Sequence, residues 1–270
     1  MTRKRVVIVG LDHYHTSGWV ESLGLFTDRL EIVGLYEPDL TLKSSLRPRF
    51  QDPHFPESLP TTYRSLPFLD DLQTLITTCE PDIALVTLPN RDTPAALTTL
   101  AQAGIHILTD KPGARTADDL QHAVDVARHN NVKIATGLIR RYGRPWQRAR
   151  QLVDEGSIGR LLSTESVFNT STPWIRDPAN HIFSNELQGG GILMWLGVHD
   201  LDQLLWLTGE RDRRSAGDVR SGKQRRDRCR GCDLRVAPLY RWRRGNLPLR
   251  LCAAAHHVGG VSGNSRRGER

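Results

Sequence analysis

The sequence predicts an α/β fold, a parallel sheet wound with helices on both faces, and three observations predict it. β-branched apolar runs alternate with helix-period segments through the first 130 residues. The first of those runs stops at a glycine, Gly10, just before a helical segment. With 270 residues and 38% hydrophobic content, the chain has enough apolar material to bury such a core. Alternation of this kind implies right-handed crossovers, with any ligand at the carboxyl ends of the strands.

Each element follows from its residues. "KRVVIV" reads as a β-branched strand that turns at Gly10 into a helix with Trp19, Val20 and Leu23 on one face. "LEIVGLYEPD" is a second strand ending in acids. "DIALVTLPN", "IHILTDKPG" and "VKIATGL" are further strands, and helices are predicted around Phe68–Thr77, Thr93–Ala103 and Ala117–Asn130.

The first strand-turn-helix unit is where a dinucleotide pyrophosphate would meet the free amides and positive end of a helix. A G-x-G-x-x-G pattern would put glycines at 10, 12 and 15, and the chain has Gly10, Asp12 and His15. Asp12 would repel a pyrophosphate and hinder close backbone approach. His13 and His15 are candidates for approaching the cofactor phosphates, or for simply filling the turn. Glu37, at the end of the second strand, suits a ribose 2′-hydroxyl and so favours NAD, with NADP as the alternative cofactor; it reads equally as a solvated strand-end acid.

Two later stretches carry more. "AGIHILTDKPGA", Ala103–Ala114, sets Lys111 between a predicted strand and Pro112, so its ammonium would emerge at the carboxyl edge of the sheet. "GGGILMWLGVHDLDQLLWLTGE", Gly189–Glu210, has three glycines opening a helix on which His199 and Asp202 share a face. Singly, Lys111 reads as a solvated turn residue and His199 as a satisfied core group. Jointly they resemble the Gfo/Idh/MocA family of nicotinamide-dependent sugar and polyol oxidoreductases. The family's "EKP" corresponds to "DKP" here, and its G-G-G-x-L-x-D-x-G-x-H-x-x-D is matched with one substitution. "EPD" at Glu37–Asp39, "TLPN" at Thr87–Asn90, "DEGSIGRLLS" at Asp154–Ser163 and the Arg140, Arg141, Pro145 region match as well.

The resemblance covers residues 1–210. It implies a Rossmann-like dinucleotide-binding domain over 1–125 and, over 126–210, the start of an α+β domain with an open antiparallel sheet for substrate binding and oligomerisation. It also implies hydride transfer with a small sugar or polyol substrate and a homo-oligomer that an incomplete second domain would compromise. Lys111 falls on the lysine that touches nicotinamide and substrate, and His199 on the proton-transfer histidine, with Asp202 assisting. Gly10, His13, His15, Glu37, Pro89, Asn90 and Lys111 fall on the cofactor side. The family's aspartate four residues before the histidine is Trp195 here, which cannot act as a carboxylate. A non-catalytic nucleotide-binding relative is therefore the alternative.

Residues 211–270 differ in character. They hold 16 Arg and one Lys against five acids, which leaves residues 1–210 at −5 of the net +7. Such a composition cannot build a core, and it suits either a basic nucleic-acid arm or GC-rich DNA read out of frame. One lysine against sixteen arginines argues for the second, with the frame shifting near Glu210. The expectation is therefore an aberrant or disordered tail and no nucleic-acid partner. Cys229 and Cys232 have half-site zinc spacing, but only Cys252, His256 and His257 could complete it, so no metal site is expected. The absence of a long apolar run or secretory leader suggests a cytoplasmic chain with no membrane partner.

Overall fold

A computed structural model describes residues 2–39, 65–168, 180–209 and 258–264, with side chains of 160–165, 167 and 258–264 outside the description. The chain divides into two units, Met1–Leu138 with Ile175–Val198, and Ile139–Trp174 with His199–Arg270.

The first unit is built on a six-stranded sheet. In chain order its elements are β1 (Lys4–Val9), α1 (Thr16–Gly24), β2 (Leu30–Tyr36), β3 (Phe68–Leu69), α2 (Leu72–Cys79) and β4 (Ile83–Val86). Then come α3 (Thr93–Gln102), β5 (His106–Thr109), α4 (Ala117–His129) and β6 (Ile134–Thr136). The strands are ordered β3-β2-β1-β4-β5-β6, and every pair is parallel. This is the doubly wound order, whose direction reverses between β1 and β4.

Side-chain alternation along β1 explains why both faces are covered. Val7 and Val9 enter one core with Leu75, Leu97, Leu100 and Ala123 of α2, α3 and α4. Val6 and Ile8 enter the other with Val20 of α1, Leu35 and Leu85. Full burial of each such side chain contributes roughly 1.5–3 kcal/mol. On β2, a Cβ at Gly34 would come within 2.5 Å of Cys79 Sγ, so this glycine lets α2 pack close against the sheet.

Two sequence expectations need correction. The helix expected over Phe68–Thr77 is instead a strand and then a helix. Phe68 and Leu69 pair with Leu35 and Tyr36, and the helix begins only at Leu72, because Asp71 accepts a hydrogen bond from the Thr74 amide as its N-cap. A domain boundary at 125 would cut α4, whereas the first unit continues through β6 to Leu138 and regains the chain at 175–198. Within that return lie the helical turn His181–Phe183, α6 (Asn185–Gln188) and a wide π-type turn, Leu193–Gly197, which leads into α7 (Val198–Thr208).

In the second unit, a helical turn at Ile139–Tyr142 precedes α5 (Arg144–Asp154) and β7 (Arg160–Val167). β7 pairs antiparallel with β8 (Val258–Asn264). β8 lies in the segment expected to lack regular structure, in a stretch of valine, glycine, serine and asparagine free of arginine. The rest of the arginine-rich segment lies outside the described residues. Among the described residues, no helix is long and apolar enough to cross a membrane.

Candidate functional site

The carboxyl ends of β1, β4 and β5 carry the site. Gly10 follows β1 with φ +95°, and a Cβ there would stand 2.8 Å from both the Leu88 amide nitrogen and the Thr87 carbonyl carbon. Only glycine fits, so the β1–α1 turn lies directly on the end of β4. The Thr87 hydroxyl reinforces the contact by donating to the Gly10 carbonyl at 2.6 Å. α1 starts without a side-chain cap, which leaves its positive end for a ligand.

Glu37 stands at the end of β2, 4% exposed, and its carboxylate accepts from the Leu11 amide at 2.6 Å and the Asp39 amide at 3.2 Å. Burial pushes its carboxyl above the ordinary value, against the lowering effect of those amides. Pro89 and Asn90 follow β4. The Pro89 carbonyl accepts from the Thr93 amide and hydroxyl at the start of α3, and the Asn90 amide donates to the Gln188 carbonyl at 3.0 Å.

Lys111 follows β5, joined to Pro112 by a cis peptide bond, and is only 2% exposed. Its ammonium donates to the Trp195 carbonyl at 2.5 Å and lies 4.0 Å from the indole ring centroid. Asp110 beside it accepts from the Lys111 amide at 2.7 Å through one oxygen. The other accepts from Trp19 Nε1 at 2.8 Å and from His15 Nδ1 at 3.0 Å. Burial opposes ionisation of Asp110, but His13, His15 and Lys111 hold its carboxyl well below the usual carboxylate range.

His13 and His15 join this group. Their rings meet edge to face at 4.8 Å, and both lie against Trp195, at 5.0 and 5.5 Å. His13 also faces His181 at 5.7 Å, and burial drives the His13 imidazole well below its ordinary value. His181 is likewise depressed by burial, to about 4, and the Gln188 amide donates to its Nδ1. Asp12 turns its carbonyl to the Asn180 amide at 3.3 Å.

The residues read from the sequence on the cofactor side, Gly10, His13, His15, Glu37, Pro89, Asn90 and Lys111, all belong to the first unit. His199 and Asp202 belong to the second, on α7. His199 is buried there. Asp202 is gripped by Arg141, whose Nε donates to one oxygen at 2.7 Å and whose Nη2 bonds the other. Arg140 similarly donates to Asp200 at 2.8 Å and to Gln203 at 3.1 Å. Asp202 thus serves as an ion-pair anchor. Sequence reasoning missed the part played by Asp110, Trp19 and His181. The signal available for Asp110 was its place before Lys111, opposite a turn with two histidines.

Residues 4–138 match the family model described as "Oxidoreductase family, NAD-binding Rossmann fold", and residues 146–233 match "GFO/IDH/MocA C-terminal domain". The second match extends beyond Glu210, where the break in family-like sequence was expected. D-glucoside 3-dehydrogenase of Escherichia coli is 29% identical over 57% of this chain and 43% of its own length. Rhizopine catabolism protein MocA of Rhizobium meliloti is 31% identical over 48% of this chain and 39% of its own. The chain therefore spans less than half the length of these two relatives. Among solved structures, the WlbA dehydrogenase of Bordetella pertussis, in complex with NADH and UDP-GlcNAcA, aligns with a TM-score of 0.65. That alignment has 21% identity and covers 76% of this chain and 58% of that one. The sheet order, the Gly10 turn and these matches converge: the chain belongs to the GFO/IDH/MocA oxidoreductase family, and its first unit is that family's NAD-binding Rossmann fold.

Proposed function

We propose that the protein is an oxidoreductase that moves a hydride between a nicotinamide dinucleotide and a hydroxyl-bearing carbon of a sugar or polyol. The observation that carries this reading is Lys111, a cation only 2% exposed at the carboxyl edge of a dinucleotide-binding sheet. Burying an ammonium costs several kcal/mol, about what a site needing a fixed positive charge must sustain. The sugar class is supported by the names of relatives, D-glucoside 3-dehydrogenase and levoglucosan dehydrogenase among them.

The residues fit a dinucleotide in three respects: a side-chain-free turn at Gly10, an uncapped α1, and an acid at Glu37 for ribose hydroxyls, which favours NAD over NADP. When bound, the nicotinamide supplies the hydride acceptor. Lys111 then holds the substrate hydroxyl and lowers its pKa, and His199 takes the released proton. The Trp195 indole, stacked over the Lys111 ammonium, restricts its motion and excludes water around it.

The test follows nicotinamide reduction by the purified chain with aldoses, glycosides and inositols, alongside dinucleotide binding by calorimetry. Turnover that falls by about 10²–10⁴-fold in Lys111→Met supports the reading. Dinucleotide binding with no turnover on any of these substrates would favour the non-catalytic relative, which Trp195 in place of an aspartate suggests. Absence of both overturns the proposal.

A further inference from the structure

Four positions at which the chain departs from the family pattern are Asp12 and His15 in the turn, Asp110 before the lysine, and Trp195. Three of them meet at one point: His15 bonds Asp110, and Trp195 covers His15 and its neighbour His13. One ligand atom from each of His13, His15 and Asp110 can be chosen so that all three lie within 4.8 Å of one another. We propose that these three side chains bind a divalent transition-metal ion of the zinc type.

The donor set is two imidazole nitrogens and one carboxylate oxygen, which suits zinc and its neighbours in the first transition row rather than calcium or magnesium. Ligand bonds of about 2.0–2.2 Å require donors some 3–4 Å apart. The His15–Asp110 separation of 3.0 Å is already close to that. The third donor, from His13, lies within 4.8 Å of the other two, and a shift of about an ångström brings it to bonding range. The ion takes the place of the proton between His15 Nδ1 and Asp110.

The surroundings are those of a held ligand set. Trp19 Nε1 and the Lys111 amide fix the Asp110 carboxylate through hydrogen bonds to its two oxygens, the outer-shell support that metal-bound carboxylates use. Asp110 and His13 are 5% and 3% exposed, and the Trp195 ring lies over both imidazoles, so the ion would be held in a low-dielectric setting. The ligands come from separate parts of the fold, the β1–α1 turn and the end of β5, and the sheet brings them together.

The site does not depend on the dehydrogenase reading, so its test uses metal alone, without dinucleotide or sugar. The full chain is stripped with chelator and titrated with Co²⁺ and Zn²⁺, with visible spectra of the cobalt form and thermal melting of the zinc form. We expect one equivalent bound, a cobalt spectrum without sulfur charge-transfer bands, and a zinc-dependent rise in Tm. His15→Gln should weaken binding by more than the roughly 10–100-fold that losing an outer-shell partner costs. Unchanged binding in a folded His15→Gln chain, sulfur-type bands from the tail cysteines alone, or no bound metal overturns the proposal. X-ray absorption of the zinc-loaded wild-type chain decides independently of any variant: an all-nitrogen-and-oxygen shell with imidazole scattering supports the site, and a sulfur shell overturns it.

Discussion

A methyl group at Gly10 would meet the Thr87 and Leu88 backbone at 2.8 Å while holding a φ of +95° that alanine avoids. Gly10→Ala is therefore expected to lower stability by about 1–3 kcal/mol through backbone strain alone, read as a shift in the urea midpoint. His181 makes a pH prediction. Its folded pKa, about 4, lies below the ordinary 6.5, so the unfolded chain takes up the proton first. Stability should decline as pH falls from 6.5 to 4, by about 3 kcal/mol in total, and be unaffected by this group above 6.5. His13 pulls in the same direction. Asp110 acts in the same direction at lower pH: its contribution is present above the ordinary carboxylate value of 3.8 and is lost as pH falls further below. Urea unfolding across this range checks the sign, and His181→Gln should flatten the decline between 6.5 and 4. Gly10, Glu37 and Lys111 were legible in the sequence because a turn, a strand end and a strand-Lys-Pro junction are local patterns. The His15–Asp110 pair was not, since it spans 95 residues and depends on β5 lying two strands from β1.

Helix starts are where local chemistry decides the elements. α2 begins at Asp71, which accepts from both the amide and the hydroxyl of Thr74, and α4 begins at Thr116, which accepts from the Asp119 amide. Asp71→Ala and Thr116→Ala are each expected to cost about 1 kcal/mol, measured as a loss of unfolding free energy. The five longer strands of the parallel sheet and the α1, α3 and α4 helices were readable from β-branched runs and helical periodicity. β3 was not. Two residues carry no alternation to recognise, and Phe68–Leu69 is a strand only because Leu35 and Tyr36 offer an edge to pair with. The wide turn at Leu193–Gly197 escaped notice for a similar reason, since the apolar spacing of "LMWLGV" fits a plain helix.

The first unit is discontinuous in the chain, and its stability should reflect this. Residues 180–198 supply the Gln188 carbonyl to Asn90, the Trp195 carbonyl to Lys111 and the Glu186 carboxylate to Arg91. A chain cut after Leu138 keeps the six strands and loses these partners. It is expected to retain the circular dichroism of an α/β domain while melting several degrees lower, at about 1 kcal/mol for each buried hydrogen bond forfeited. Discontinuity also has a bearing on biosynthesis. Asn90 leaves the ribosome 98 residues before Gln188. At about 5–20 residues per second, the nascent sheet waits roughly 5–20 s for the segment that completes its ligand edge. During that interval the buried lysine is without its indole cover, which makes this the stage of synthesis at which a chaperone has most to protect.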